Sequence, residues 1–223
     1  MIHTSPQLLR NPQTLQQAIQ GTFDIELDSV EHNNIGELVD RIDDAVLDKY
    51  FRHHWQGEMK KYKYSGLALI DEINSLKPRR VLDIGCGYHE FRGKIDNIVG
   101  IDPYNSSADY EVKLLDYKPD EKFDATLALG SINFGSTDKI FAELEHAVRL
   151  CNPGAVMFFR VNPGLAHDES NRPAGKEHSK WIYFYPWDST FIVNCATQLG
   201  VDILDIRTDS HRGRIYFVWR TKN

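Results

Sequence analysis

The sequence predicts an α/β protein: a mostly parallel sheet with a reversed C-terminal strand, preceded by a helical cap. Three observations predict it. Val81-Leu82-Asp83-Ile84 is an apolar run that enters a glycine turn, Gly85-Cys86-Gly87. Ile98-Val99-Gly100-Ile101 is a second such run, and Asp102 closes it. Residues 201–207 and 214–219 alternate apolar and polar side chains around His211-Arg212-Gly213, the pattern of an antiparallel pair.

The elements follow in order. Residues 1–34 are polar and turn-rich and read as an N-terminal arm. Residues 35–76 read as a helical cap or lid. Leu38, Ile42, Val46 and Leu47 fall near one face, Tyr50 and Phe51 follow, and a second helix over 55–76 buries Leu67, Ile70 and Ile73. Pro78 ends that helix, because the residue before a proline is pushed out of the helical region. Residues 77–223 form the sheet domain, with strands expected at 80–84, 98–102, 110–114 and 123–129. A helix over 137–150 carries Ile140, Phe141, Leu144 and Val148 at helical spacing. Asn152-Pro153-Gly154 breaks it, and 155–161 reads as a fully buried strand. After a long polar loop over 162–186, Asp188 caps a helix that ends at Leu199 and is closed by Gly200. The crossovers are short: 88–97 has room for about two helical turns, and 103–109 and 118–122 have room for less. The helices of 36–76 are therefore expected to cover a sheet face, since a parallel sheet is buried on both sides.

Composition sets bounds. The 223 residues suit one domain with elaborations, and 41% hydrophobic content supplies a core. Mean hydropathy is −0.45, and no apolar run is long enough to cross a bilayer. The first residues lack the basic and apolar regions of a signal peptide. Cys86, Cys151 and Cys195 are far apart, with no CxxC, and read as reduced thiols of a cytoplasmic protein, not as a disulfide framework or metal site. A net charge of −6 argues against a broad nucleic-acid footprint and leaves room for a local basic patch.

The strand, Gly-x-Gly turn and downstream acid form a nucleoside-binding layout. The glycines let backbone approach a ligand, and the acid accepts hydrogen bonds from ribose hydroxyls. Nicotinamide and flavin sites place a third glycine at GxGxxG spacing under a pyrophosphate. Here Glu90 holds that position, a carboxylate where an anion would bind. A dehydrogenase is disfavoured.

Asp83-Ile84-Gly85-Cys86-Gly87 instead resembles motif I of class I S-adenosylmethionine-dependent methyltransferases. The order of elements over roughly 60–220 is similar to their Rossmann-like fold, including the reversed last strand, and the compactness is similar to that of small phage members. The resemblance implies S-adenosylmethionine as cofactor. Asp83 and Gly85 would face its methionine portion, Asp102 the ribose, and Asp116 with Tyr117 the adenine, with Cys86, Gly87, Pro103, Gly130, Ser131 and Tyr64 also binding the cofactor. Gly130-Ser131-Ile132-Asn133 would form the floor where substrate meets methyl. Tyr64, with Tyr50, Phe51, Trp55 and Tyr62, would belong to an aromatic lid.

The floor lacks the Asn-Pro-Pro-aromatic motif of amino-methylating DNA enzymes, and no cysteine follows a proline as cytosine-C5 chemistry needs. Adjacent His53 and His54 diverge on a helix and make a poor metal pair. The loop over 162–186, with His167, Asp168, Glu169, His178, Trp181, Tyr183 and Tyr185, is expected to contact substrate. No residue is assigned as a catalytic base. Two functions follow: a methyltransferase acting on a small molecule or a macromolecule-borne group, or a catalytically silent module of the same fold that binds a partner protein.

Overall fold

The computed structural model describes residues 44–45, 47–54, 64–162, 185–208 and 214–223. They belong to two compact units, 44–54 in one and the remainder in the other. In the first, Tyr50–His54 make one π-helical turn. Arg52 Nε donates to Asp48 Oδ1 at 2.9 Å, and the Tyr50 and Phe51 rings meet edge-on. Trp55 and Tyr62 of the expected lid lie outside the described residues.

The second unit is built on a six-stranded sheet ordered β2-β1-β3-β4-β6-β5. The strands are β1 (Val81–Ile84), β2 (Ile98–Ile101), β3 (Phe123–Leu129), β4 (Cys151–Val161), β5 (Asp202–Thr208) and β6 (Ile215–Arg220). β2, β1, β3 and β4 run parallel, and β6 is antiparallel to both β4 and β5. The reversed strand is thus where the alternating C-terminal pattern put it. β1 is buried at all four positions, as expected of a central parallel strand.

Both faces are covered. On one, α2 (Thr137–Arg149) and α3 (Ser189–Leu199) pack Ile140, Leu144, Ile192 and Cys195 against Leu82, Ile84, Met157 and Phe217. α3 has the predicted limits: Asp188 Oδ1 accepts from the Phe191 amide at 2.7 Å, and Gly200 ends the helix at φ 68°. On the other face, Leu69 and Ile73 pack against Val81, Ala125, Leu127 and Phe158. They come from a 3₁₀ turn, Leu67–Leu69, that runs into the short helix α1, Ile70–Ser75. The helix expected from residue 55 therefore does not continue back through Gly66, whose φ of 61° takes the chain out of the helical region.

Two other expectations change. The strand expected at 110–114 is reduced to one parallel bridge, Ile101 to Tyr110. Asp109 explains this: its Oδ2 accepts the Gly100 amide at 2.8 Å, while the Asp109 and Tyr110 amides both donate to the Gly100 carbonyl. The β2 edge is thereby satisfied by one residue and its neighbour, and the chain turns inward through a 3₁₀ turn, Leu114–Asp116, to bury Leu114 and Tyr117. β4 also begins earlier than expected, at Cys151. Thr221 Oγ1 donates to the Asn152 carbonyl at 2.6 Å and accepts from the Ala155 amide at 2.9 Å, carrying the strand past Pro153, which has no N–H to give.

The β1–β2 crossover contains no helix. The His89, Arg92, Lys94 and Ile95 amides donate to carbonyls within the segment, and other groups are met by a side chain from elsewhere: Asn74 Nδ2 donates to the Lys94 carbonyl at 2.9 Å, and Asn74 Oδ1 accepts from the Asp96 amide at 3.2 Å. Arg92 pairs with Asp109 at 2.5 Å.

Candidate functional site

The C-terminal ends of β1, β2 and β3 bring the glycine turn, Asp102 and the 130–133 turn together. The amides of Gly85 and Cys86 both donate to the Ile101 carbonyl, at 2.8 and 3.1 Å, which pins the turn to the end of β2. Gly85 and Gly87 take φ values of 68° and 56°, in the left-handed region where a side chain is strained.

Asp102 organises this corner. Its Oδ2 accepts from the Gly87 amide at 2.9 Å, and its Oδ1 accepts from the Tyr104 amide at 2.8 Å. Pro103 follows it, half-buried. Asp83 is buried beneath the turn, 4% exposed. Burial first, and the Asp102 charge second, push its carboxyl up to about 7. The Cys86 thiol is raised beyond the usual range by burial and then by Asp83, Asp102 and Asp109. The three carboxylates act on this thiol in the same direction.

The 130–133 turn closes the site from β3. A Cβ on Gly85 would lie 2.4 Å from Ser131 Cβ, so the two turns are in direct contact. Gly130, at φ 110°, lies against Arg160, whose Nη2 donates to the Leu129 carbonyl. Asn133 is wholly buried, and its Oδ1 accepts from the Asn162 amide at 3.0 Å. Its carbonyl accepts from the Tyr185 amide at 2.7 Å. Among the described residues, Ser131 Oγ and Asn133 Nδ2 are both buried without a hydrogen-bond partner.

Asp83, Gly85, Cys86, Gly87, Asp102, Pro103, Gly130 and Ser131 are therefore neighbours. The remaining three predicted residues sit elsewhere. Tyr64 packs its ring on Tyr216 at 5.6 Å and under the Arg207 guanidinium at 5.0 Å, on β5 and β6. Tyr117, 6% exposed, is held in the core between Tyr110 and Phe123. Asp116 is exposed in a groove of about 730 Å³ that it shares with Arg80 and Glu121, which precede β1 and β3, whereas Gly85 follows β1. The adenine contact expected of this pair presumed a full third strand to carry it to the glycine turn, and only a single bridge forms there. Of the 162–186 loop, residues 163–184 lie outside the described residues. Tyr185 packs on Trp187 and Phe191.

Two contributors escaped the sequence reading. Arg160 was absorbed into an apolar strand, although a lone guanidinium in a buried run was itself a signal. His89, 3% exposed with φ 53°, wedges against Gly100: a Cβ there would meet His89 Nε2 at 2.8 Å. Burial lowers its pKa, Asp109 opposes that, and Arg92 adds to it. Nothing local in the sequence marks it.

Known structures share this fold. The chain is similar to 1,6-didemethyltoxoflavin-N1-methyltransferase from Burkholderia thailandensis, solved with 1,6-didemethyltoxoflavin and S-adenosylhomocysteine bound (TM-score 0.58, 12% identity, 89% of this chain and 94% of that one). It is also similar to magnesium protoporphyrin IX methyltransferase from Synechocystis PCC 6803 with bound S-adenosylhomocysteine (TM-score 0.55, 13% identity, 81% and 100%). A third is the N-methyltransferase NodS from Bradyrhizobium japonicum WM9 in complex with S-adenosylhomocysteine (TM-score 0.54, 11% identity, 70% and 85%). The fold is the class I methyltransferase fold. No protein-family model matches the sequence, and no curated protein matches it in sequence. Within the methyltransferase fold, the reversed β6 and the glycine turn after β1 occupy the places the sequence assigned them.

Proposed function

We propose that this protein is an S-adenosylmethionine-dependent methyltransferase with a small-molecule acceptor. The observation that carries the reading is the buried pair Asp83 and Asp102, at the ends of adjacent parallel strands on either side of a glycine turn. Burial and mutual repulsion raise Asp83 to about 7, so the ionised pair gains from a cation beside it. When bound, S-adenosylmethionine supplies an activated methyl group on a cationic sulfur. The residues fit it: two left-handed glycines allow close approach, and Ser131 Oγ is a buried polar atom with no partner among the described residues. We assign Asp83, Gly85, Cys86 and Gly87 to the methionine portion, Asp102 and Pro103 to the ribose, and Gly130 and Ser131 to the floor.

The protein's part in transfer is placement. Asp102 fixes the turn through the Gly87 and Tyr104 amides, and the Arg160 bond to Leu129 fixes the opposing floor. Holding an acceptor in line at about 3–3.5 Å supplies much of the rate enhancement. The three similar proteins were each solved with S-adenosylhomocysteine, which supports the cofactor. The three free thiols support a cytoplasmic setting, and among the described residues no helix is long and apolar enough to cross a membrane.

Calorimetry with S-adenosylmethionine, S-adenosylhomocysteine and NAD tests the reading. Saturable binding of the first two and none of the third is expected. Failure of S-adenosylhomocysteine to bind overturns it. Binding without methyl transfer to any acceptor returns the silent partner-binding module.

A further inference from the structure

We propose that the methyl acceptor is a carboxylate, received by the side-chain amide of Asn133 and the hydroxyl of Ser131. This rests on the methyltransferase reading above. The Asn133 amide donates to the Ser131 carbonyl at 3.0 Å, so both residues lie in one tight turn at the end of β3, and Ser131 touches the glycine turn. Asn133 Oδ1 accepts from the Asn162 amide at 3.0 Å. That bond settles the orientation of the side chain, because a flipped amide would set N–H against N–H. The oxygen is occupied, and the Nδ2 hydrogens are what remain. Nδ2 and Ser131 Oγ are buried with no partner among the described residues. Folded proteins rarely leave buried donors unmet, so two in one turn beside a cofactor loop call for a ligand that accepts hydrogen bonds.

The turn also tells against the other acceptors. Residues 130–136 read Gly, Ser, Ile, Asn, Phe, Gly, Ser, and none of them ionises. An alkylammonium or a phenol arrives protonated and needs a base; the turn offers it neither a base nor a free oxygen on Asn133. Arg160, half-buried behind Gly130, adds positive charge at the floor. A carboxylate, with an ordinary pKa near ~4, arrives ionised and fits donors alone. The balance is simple. A carboxylate oxygen forms the new bond to the methyl carbon, the carbon–sulfur bond breaks, and its electron pair stays on sulfur. The products are a neutral methyl ester and S-adenosylhomocysteine, and no proton is transferred.

The full chain is incubated with methyl-tritiated S-adenosylmethionine and a panel of benzoate, salicylate, indole-3-acetate, hexanoate and glutarate. Aniline, tryptamine, hexylamine and phenol form the matched set. The expected product is an ester, read as label released as volatile methanol by mild base. Asn133→Asp keeps an oxygen for the Asn162 amide but removes both donors and adds charge. It should lower kcat/KM for ester formation roughly tenfold to a hundredfold, as loss of a hydrogen bond to a charged group does. Its affinity for S-adenosylhomocysteine should stay within about threefold, as expected of a residue that acts on the acceptor alone. Label that resists base, transfer to the amines or phenol only, or no transfer to any carboxylate by protein that binds S-adenosylhomocysteine overturns the proposal. So does an Asn133→Asp variant with unchanged ester formation. Loss of S-adenosylhomocysteine binding in the unmodified protein would instead overturn the broader reading.

Discussion

Gly85 and Ser131 stand so close that no side chain fits between them: a Cβ on the glycine would lie 2.4 Å from Ser131 Cβ. The contact ties the turn after β1 to the turn after β3. The left-handed φ of 68° adds a second objection to any side chain there.

Gly85→Ala should therefore abolish S-adenosylhomocysteine binding and lower thermal stability. The backbone part amounts to roughly 1–2 kcal/mol. Adding Ser131→Gly removes the steric part and leaves the strain, so the double variant should recover part of the lost stability. Calorimetry and thermal melts of the cycle check this, and strictly additive effects would deny the contact.

Asp102→Asn tests the opposite wall. Both carboxylate oxygens accept backbone amides, and an asparagine retains one acceptor while turning an N–H toward a donor. Loss of a hydrogen bond to a charged group should remove about 1.5–3 kcal/mol of stability. Affinity for S-adenosylhomocysteine should fall at least about tenfold. Because Asp102 holds the loop itself, melting temperature and affinity should fall together in this variant.

Asp83 gives a pH dependence. Burial, and then the Asp102 charge, push its carboxyl from an ordinary 3.8 up to about 7 in the folded protein. A group whose value is raised on folding contributes its full stability below the unfolded value, and that contribution is lost as pH rises through the folded value. Removing it should therefore help most at high pH. Asp83→Asn should gain melting temperature relative to the parent as pH climbs from about 4 to about 8. S-adenosylmethionine affinity of the parent should rise over the same window, since a cation favours the ionised form. A pH-independent difference in melting temperature would place Asp83 outside the buried pair.

Helix α3 offers a test apart from the site. Asp188 Oδ1 caps the Phe191 amide at 2.7 Å, and substitution of such a cap by alanine removes about 0.5–2 kcal/mol. Asp188→Ala should melt earlier by urea titration with unchanged S-adenosylhomocysteine affinity.

The sequence revealed what local pattern encodes. β1, β2 and β3 are apolar runs bounded by turns, and α3 announces itself through Asp188 and Gly200. The glycine turn and Asp102 were legible because backbone approach and an acid at a strand end leave a mark in residue type. What escaped depends on bonds between distant residues. Asp109 ends the expected strand at 110–114 by taking the Gly100 amide. Arg160 braces the floor from a strand that read as purely apolar. Neither has a period or a neighbouring motif. The assignment of Asp116 and Tyr117 leaned on a strand that forms only a bridge.

The crossover between β1 and β2 has a different significance for how this chain tolerates change. A helix meets its own amides whatever side chains it carries. Here Asn74, outside the segment, accepts from the Asp96 amide and donates to the Lys94 carbonyl, Asp109 pairs with the Arg92 side chain, and Asp102 accepts the Gly87 amide of the first turn. The segment is therefore not a portable piece. Grafted into another sheet of this kind without residues 74 and 102, it would keep the bonds of its own His89, Arg92, Lys94 and Ile95 amides but lose the partners of the Gly87 and Asp96 amides and of the Lys94 carbonyl.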